Sequence, residues 1–310
     1  MQNLVQVLIE GLKEHLSPHG VDAVEYTVLR VCGAMGTTSI RDLREIVPID
    51  PPHMSRTTNR LEDMGLLKKV RLRDDRRLVS LTMTEAGASL MPELAECVNG
   101  YYALLVTDIS IQELGSCIAV MERMISATEK RENPAAADSP KPSSDEAGVV
   151  GDTQSQSIES NIGTLQNNVT RLVNVMYQGI HDRVSPFGLA VGEYSILAAC
   201  SSTESITISG IAQRVPLDAA RISRITSRLE DMEMIRKVRP GRDRRVVRVE
   251  VTDEGRALVL DIMPSVTEHY ANVASRVSDQ ELTDLIAFIE RMTANAEVAK
   301  WKSGDGPGPA

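Results

Sequence analysis

Residues 51–80 read PPHMSRTTNRLEDMGLLKKVRLRDDRRLVS, and residues 219–248 repeat the pattern as AARISRITSRLEDMEMIRKVRPGRDRRVVR. Each copy opens with apolar residues at helical spacing and ends in two short runs of alternating aliphatic side chains. In the first copy, the runs at 66–72 and 78–83 flank Asp74 and Asp75, which favour a turn. Each copy is therefore predicted to form a helix followed by a β-hairpin.

The helix of each copy is predicted to have one apolar face and one basic face. Met54, Thr58, Leu61 and Gly65 recur at the spacing of a buried stripe in the first copy. A helix with an arginine face can lie in the major groove of DNA, where guanidinium groups match guanine edges. The outward residues predicted to contact DNA are His53, Ser55, Arg56, Thr57, Arg60, Arg221, Ser223, Arg224, Ile225 and Arg228. The predicted N-caps of these helices are Asp50 and Asp218.

The tips of both hairpins are rich in arginine. The negative potential of a minor groove attracts arginine, so a basic hairpin beside a DNA-binding helix can serve as a wing. A solvated basic hairpin, in which Asp and Arg pair locally, is the alternative. The predicted wing residues are Arg73, Asp75, Arg76, Arg77, Arg242, Asp243, Arg244 and Arg245.

The charge of the chain is unevenly distributed. The 310 residues carry a formal net charge of −9, yet residues 51–80 have a net charge of +4 and residues 219–248 one of +6. The remainder therefore carries −19. Local basic patches on an acidic body are typical of a protein that approaches DNA through one face.

Several other classes of function lack a pattern in this sequence. The four cysteines show no C-x-x-C spacing, so neither a zinc site nor a disulfide framework is indicated. His15 and His19 have a metal-compatible spacing, but Pro18 lies between them, which disfavours a metal site. Nucleophile–base pairs and phosphate-binding glycine loops are also lacking. We therefore expect no enzyme, no metal and no cofactor.

Hydropathy predicts no membrane partner, and the reducing cytoplasm is the default location for a chain without a disulfide framework. Apolar runs of the ~20 residues that would cross a bilayer are lacking, as is a charged-then-apolar leader.

The two halves align without a gap at an offset of 168 residues, from about Ser17 onward. A duplicated domain explains a repeat of this length. Between the halves, a stretch rich in Pro, Ala, Ser, Asp and Glu predicts a disordered linker. The predicted division is a first unit at 1–130, a linker at 131–157, a second unit at 158–302 and a disordered tail at 303–310.

Each half is also predicted to contain five further helices. They lie at about 2–16, 22–33, 39–47, 84–107 and 110–129 in the first half, and at about 158–184, 190–201, 207–215, 252–275 and 278–300 in the second. The last helix of each half is amphipathic. That pattern suits a packing interface between the halves and a core within one domain equally well.

The junction between helix and wing carries the most specific motifs. They are RLEDMGL at 60–66, DRR at 75–77 and TEAG at 84–87, answered by RLEDMEMI, DRR and TDEG in the second half. Glu233 stands where the first copy has Gly65. With these motifs, the chain resembles the MarR family of winged-helix transcription regulators, once in each half. The expected fold is mainly α-helical with small β-wings: two tandem winged helix-turn-helix units with flanking dimerisation-type helices, in pseudo-twofold arrangement.

The resemblance implies a sequence-specific DNA-binding regulator, acting as a repressor that responds to a small-molecule effector. The resemblance also implies the intertwined homodimer of this family, with both protomers here in one chain. The two halves should therefore associate, either within one chain or by exchange between chains. Because their outward helix faces differ, an imperfect palindrome is the expected target. Candidate effector-pocket residues are His15, His19, Tyr26, Phe187 and Tyr194.

Two alternative functions remain open on sequence alone. A winged helix can be a protein–protein interaction module, which is expected to have acidic or apolar recognition faces. It can also be an architectural DNA binder without an effector, which would show strong salt dependence but little sequence preference.

Overall fold

A computed structural model describes residues 2–47, 49, 51–71, 79–132, 153–215, 217–238 and 247–302. The chain forms two compact units, each of which draws on both halves of the sequence. The first unit contains Val7–Val175 and Val273–Ala310, and the second contains Met1–Gln6 and Met176–Asn272.

The first half of the chain supplies six helices and three strands. In chain order they are α1 (Gln2–Leu16), α2 (Ala23–Met35), β1 (Thr37–Ser39), α3 (Ile40–Ile46), α4 (Pro51–Asp63), β2 (Leu67–Arg71), β3 (Val79–Met83), α5 (Glu85–Leu105) and α6 (Ile111–Glu132). The predicted helices and hairpin strands are confirmed with small shifts at their ends. Strand β1 was not predicted, and it pairs antiparallel with β3 to complete a three-stranded sheet of order β1-β3-β2.

The second half repeats this order. Its elements are α7 (Thr153–Val184), α8 (Val191–Ser201), β4 (Ile206–Thr207), α9 (Ile208–Ala212), α10 (Ala219–Asp231), β5 (Ile235–Val238), β6 (Arg248–Val251), α11 (Asp253–Ala274) and α12 (Asp279–Lys302). The sheet order β4-β6-β5 matches that of the first half. Two winged helix-turn-helix folds are thus confirmed, one in each unit.

Capping residues set the starts of helices in both winged-helix folds. The side chain of Asp22 accepts a hydrogen bond from the backbone N–H of Glu25, and the side chain of Glu25 accepts one from the N–H of Asp22. This reciprocal arrangement satisfies two donors at the start of α2. Asp218 caps α10 as predicted, because its Oδ1 accepts from the N–H of Arg221 at 2.7 Å. The other predicted cap, Asp50, lies outside the described residues.

A helical layer packs beside the first winged helix and belongs to the same unit. It combines α5 and α6 with α12 and with residues 153–175 of α7. Leu105, Leu114, Phe288 and Met292 are all almost fully buried in it. Within the predicted linker, residues 133–152 lie outside the described residues, whereas its two ends belong to α6 and α7. The predicted tail at 303–310 also lies outside.

Length and apolar character decide whether any of the described helices could span a membrane. No single one is both long and apolar enough to cross a bilayer, and one bent pair, Ser160–Phe187 with Val191–Ser201, passes by length and composition only.

Candidate nucleic-acid interface

Helix α4 presents a polar face of four exposed side chains. They are Ser55, Arg56, Asn59 and Arg60, while Met54, Thr57, Thr58 and Leu61 are buried against the winged-helix core. The guanidinium of Arg56 reaches back to its own helix, where Nε donates to the carbonyl oxygen of Pro52 at 3.3 Å. Two expectations were wrong: Thr57 is only 5% exposed, and Gly65 lies in an exposed turn after the helix instead of in the buried stripe. His53 is half-buried.

Helix α10 repeats this division. Its exposed face carries Ser223, Arg224, Ser227 and Arg228, and its buried face carries Ile222, Thr226 and Leu229. Ile225, which was expected to face outward, is half-buried and packs against the hydrophobic core of the second unit. Arg221 is half-buried as well. Thr57 and Ile225 were misplaced for one reason: they occupy the border of the buried stripe, where one residue of helical rotation decides the exposure.

Arg60, at the end of α4, is bound to the start of α2. Its Nη1 lies 2.7 Å from Oε1 of Glu25, and its Nη2 donates to the carbonyl oxygen of Gly20 at 2.9 Å. Glu25 is 2% exposed, and its second oxygen accepts the N–H of Asp22 at 2.9 Å. Burial raises the pKa of Glu25, while the backbone N–H of Asp22 and the charge of Arg60 oppose that rise. Arg60 thus combines an exposed side chain with a buried anionic partner.

The second unit contains the equivalent pair. Nε of Arg228 lies 2.9 Å from Oε1 of Glu193, which is 4% exposed. The second oxygen of Glu193 accepts the backbone N–H of Ala190 at 2.7 Å. Sequence reasoning missed both pairs, although Glu25 and Glu193 occupy equivalent positions in the repeat.

A second pair of contacts ties each of these helices to its hairpin. Glu62 binds Lys69 of β2 twice, through the backbone N–H at 3.3 Å and through Nζ at 2.6 Å, and Lys69 Nζ also donates to Oδ1 of Asn59. In the second unit, Lys237 binds Glu230 in the same two ways and donates to Oγ of Ser227 at 2.9 Å. The last turn of each helix is therefore held from two sides.

The predicted wing tips lie outside the described residues. This applies to Arg73, Asp75, Arg76, Arg77, Arg242, Asp243, Arg244 and Arg245. The described wing strands place Lys68, Val70 and Arg248 on the exposed side of the sheets. The basic character of each wing therefore extends into the part of the hairpin that the structure describes.

The predicted effector-pocket residues are divided between the units. In the first unit, the ring of His15 lies 4.9 Å from that of Tyr101, and Tyr26 is buried. His19 does not join His15; its Nδ1 lies 3.7 Å from Glu93 and its Nε2 lies 3.6 Å from Sγ of Cys97. In the second unit, Tyr194 is buried and Phe187 is 45% exposed. Within the described part of the chain, no group of three or more His, Cys, Asp or Glu side chains could hold a metal ion.

The cysteines in the described ranges are free thiols, and three of them are buried. Burial raises the pKa of Cys32 and of Cys200 to about 11, which disfavours the reactive thiolate.

Reciprocal ion pairs join α6 and α12 within the first unit. Arg123 binds Glu281 at 2.5 Å, and Arg291 binds Glu113. Arg123 and Arg291 occupy equivalent positions in the sequence repeat, and so do Glu113 and Glu281. Each arginine therefore reaches the same glutamate in the other half of the chain.

Comparison with known proteins identifies the repeated module. The model of the MarR family matches the chain twice, at residues 21–79 and 189–247. The HTH-type transcriptional regulator PecS of Dickeya dadantii is 28% identical over 135 residues, which are 42% of this chain and 78% of that protein. The uncharacterized HTH-type transcriptional regulator YpoP of Bacillus subtilis is 25% identical over 100 residues, 32% of this chain and 71% of that protein.

Solved structures of MarR proteins are also similar to parts of the chain. A mutant MarR from E. coli complexed with operator DNA is 17% identical, with a TM-score of 0.36, and the match covers 39% of this chain and 90% of that one. CouR from Rhodococcus jostii RHA1 bound to p-coumaroyl-CoA is 22% identical, with a TM-score of 0.39, covering 43% and 91%. The family model thus matches each of the two winged helices, so the chain contains two MarR-type helix-turn-helix modules.

Proposed function

We propose that this protein is a sequence-specific DNA-binding regulator in which α4 and α10 each enter a major groove. The observation that carries the proposal is the exposed basic face of each helix, centred on Arg56 and Arg224, opposite a face buried in the core. Arginine side chains on such a helix can donate two hydrogen bonds to guanine O6 and N7. The basic surface also argues against the alternative of a protein–protein module with acidic or apolar recognition faces.

The wings complete each DNA-binding surface in this proposal. Arg76, Arg77, Arg244 and Arg245 would enter the minor groove beside each recognition helix, because its negative potential attracts arginine. Arg73 and Arg242 would add contacts to phosphate. Asp75 and Asp243 would orient the arginines next to them. Lys68 and Arg248, on the exposed side of the wing strands, support this reading by extending the basic surface from the helices towards the wings.

We further propose that the two halves act together as a pseudo-dimer. In an isologous twofold interface, if residue i contacts residue j, then j contacts i. The pairs Arg123–Glu281 and Arg291–Glu113 follow this rule between the two halves of one chain. The assignment of α12 to the same compact unit as α5 and α6 is a second support. Closure within one chain and exchange of halves between chains are both consistent with these contacts.

An imperfect palindrome is the DNA target that we propose. A pair of recognition helices fits half-sites about one helical turn, roughly 34 Å, apart. The exposed faces share Arg56 with Arg224 and Ser55 with Ser223, but Asn59 of α4 is replaced by Ser227 in α10. The shared residues would contact like bases in both half-sites. The exchange of an amide for a hydroxyl would make one position of the target asymmetric.

The proposal includes repression relieved by a small-molecule effector. The two MarR-type modules support it, since resemblance to that family implies such control. His15, Tyr26 and Tyr194 remain candidate effector residues. A screen of aromatic carboxylates for release of bound DNA tests this part separately.

Selection of bound sequences from random DNA, followed by affinity measurement against salt concentration, tests the DNA-binding proposal. Roughly 6–10 phosphate contacts should give a slope of log K against log salt of about −5 to −9. A slope near zero on every duplex would favour the protein–protein alternative. A steep slope without an enriched sequence would favour an architectural binder.

The pseudo-dimer proposal needs a different measurement. Sedimentation should report 33.9 kDa for a chain that closes on itself, or a stable multiple if chains exchange halves. A protease site introduced between residues 140 and 146, followed by cleavage, should leave the two fragments associated, since the proposed contacts between α6 and α12 do not depend on the connection. Prompt separation into two soluble fragments would contradict the proposal.

A further inference from the structure

The last-turn arginines of the recognition helices, Arg60 and Arg228, are exposed like Arg56 and Arg224, yet both bind a glutamate, in α2 and in α8 respectively. Arg60 uses two of its nitrogens, one on Glu25 and one on the carbonyl oxygen of Gly20. Arg228 uses Nε on Glu193. A bidentate contact to guanine needs two parallel donors of the guanidinium. For Arg60, moving the guanidinium away from α2 to reach a base would break at least one of these bonds.

Release of Arg60 would leave a buried carboxylate without its cation. Glu25 is 2% exposed, and its other oxygen is committed to the N–H of Asp22. Removing one partner of a buried ion pair is strongly unfavourable, because the remaining charge stays desolvated. The same holds for Glu193, which is 4% exposed and caps α8 through Ala190. Any base contact that pulls Arg60 or Arg228 away from its glutamate would therefore be opposed by the structure that holds it.

We propose that Arg60 and Arg228 are positioning residues that fix the recognition helices, and that base contacts fall to Arg56 and Asn59 in α4 and to Arg224 and Ser227 in α10. This inference rests on the proposed function and assigns roles within that surface. Each arginine ties the last turn of its helix to the start of the helix that precedes the helix-turn-helix, while Glu62 and Glu230 tie the same turn to the wing. A helix held from both sides presents its exposed groups in one orientation, which reduces the entropy lost on binding.

The same contacts define what Asn59 and Ser227 can offer to a base. Lys69 Nζ is only a donor, so the amide oxygen of Asn59 must face it and the amide NH2 is left to donate. Asn59 is therefore suited to a base acceptor, such as guanine O6 or N7 or thymine O4, and not to the two-point recognition of adenine that needs both amide atoms. Ser227 accepts from Lys237, and its hydroxyl hydrogen can also donate. The two positions thus differ mainly in reach.

The test compares Arg60→Gln, Glu25→Gln and the double variant, with Arg56→Gln as the matched control on the same helix face. If Arg60 acts through Glu25, the two single variants should weaken binding by a similar factor, about tenfold, and the double variant should add little more. Their base preferences, measured by substitution at every pair of a selected site, should match wild type, and so should the salt slope. Arg56→Gln should lose preference at one base pair. Arg60→Lys, which can keep the ion pair, should recover part of the affinity.

Other outcomes overturn the inference. Lost preference at one base pair in Arg60→Gln, with Glu25→Gln silent, would make Arg60 a base-contacting residue. A salt slope that falls by about 1 in Arg60→Gln alone would make it a phosphate contact. Thermal unfolding of each variant checks that it is folded, and Arg228→Gln with Glu193→Gln provides a second matched pair in case Glu25→Gln does not fold. A wild-type chain that binds no duplex would instead overturn the proposed function, together with this inference.

Discussion

The recognition helices of the two halves make the same internal contacts. In α4, Arg60 binds Glu25 and Glu62 binds Lys69. In α10, Arg228 binds Glu193 and Glu230 binds Lys237. The two copies repeat these contacts although much of their sequence differs. Each contact sets the orientation of a helix whose position DNA binding would require. The comparison indicates that the internal contacts of the recognition module are constrained in both copies.

The exposed positions follow a different pattern. Asn59 corresponds to Ser227 and Pro52 to Ala220, and all four are exposed. Surface substitutions away from special features usually change the free energy of unfolding by no more than about 0.5 kcal/mol. The recognition surfaces can therefore diverge without loss of fold, which a homodimer with one gene for both copies cannot do. In the proposed pseudo-dimer, fusion of the halves would make a target with two unlike half-sites accessible.

The largest expected effect comes from the arginines that the two copies share. Arg56→Ala and Arg224→Ala should each cost about 1–3 kcal/mol of DNA-binding free energy and relax preference at one base pair, because each removes a donor fork from the groove. Measured on an asymmetric selected site, the two variants should affect different base pairs, one in each half-site. Loss of preference at the same pair in both variants would break the assignment of one helix to one half-site.

A smaller expected effect tests whether Ile225 belongs to the buried core or contacts a base. Ile225 packs against the core of the second unit, and Thr57 is buried at the equivalent place in the first. Ile225→Thr should lower the free energy of unfolding by about 1–2 kcal/mol, because it removes apolar contacts and partly buries a hydroxyl group. Base preference should stay unchanged. Denaturant unfolding and substitution of the selected site check the two parts, and a shift in preference without a loss of stability would place Ile225 in the groove.

These residues also show how far the sequence predicts the molecule. The helices and hairpin strands follow from periodicity, and the cap at Asp218 follows from local hydrogen bonding. Strand β1 could not be predicted, because its three residues are strands only through pairing with β3, more than forty residues later. The Glu25–Arg60 pair is likewise a contact between distant segments. Periodicity along one helix carries no information on which charged group of another helix lies beside it.

The turn after each recognition helix is expected to have a still smaller effect, which concerns the free energy of unfolding. Gly65 has φ 72°, and Glu233 adopts φ 60° at the equivalent place. Both turns are closed in the same way, by Thr84 and Thr252, which donate to the carbonyl oxygens of Gly65 and Glu233. A left-handed conformation costs a residue with a Cβ roughly 1 kcal/mol. The motif thus keeps its geometry in the second copy at the expense of backbone strain.

Exchange of these two residues measures that strain. Glu233→Gly should raise the free energy of unfolding by about 0.5–1 kcal/mol, less any entropic cost of the glycine, and Gly65→Glu should lower it by a similar amount. Space does not limit the second change, since a Cβ at Gly65 would meet no heavy atom within 4 Å. Denaturant titration gives both values. Equal stability of wild type and both variants would mean that the turn imposes no conformational preference.

The smallest expected effect is a change in the pH dependence of stability, and it concerns the reciprocal ion pairs between α6 and α12. Hydrogen bonds from the backbone N–H of Ser278 and from Arg123 lower the pKa of Glu281 below its ordinary value of 4.5. A carboxyl group whose pKa is lower in the folded state contributes stability above its unfolded pKa and loses it as the pH falls through the folded value. Wild type should therefore lose part of its stability below about pH 4.5, and Glu281→Gln should show a shallower loss over the same range. Glu122→Gln, at an exposed position of α6, is the matched control and should leave the slope unchanged.

Because an exposed pair is weakened by salt, the difference between Glu281→Gln and wild type should also shrink at high ionic strength. A slope that is the same in Glu281→Gln and wild type would show that the pair between the halves contributes nothing to the stability that acid removes.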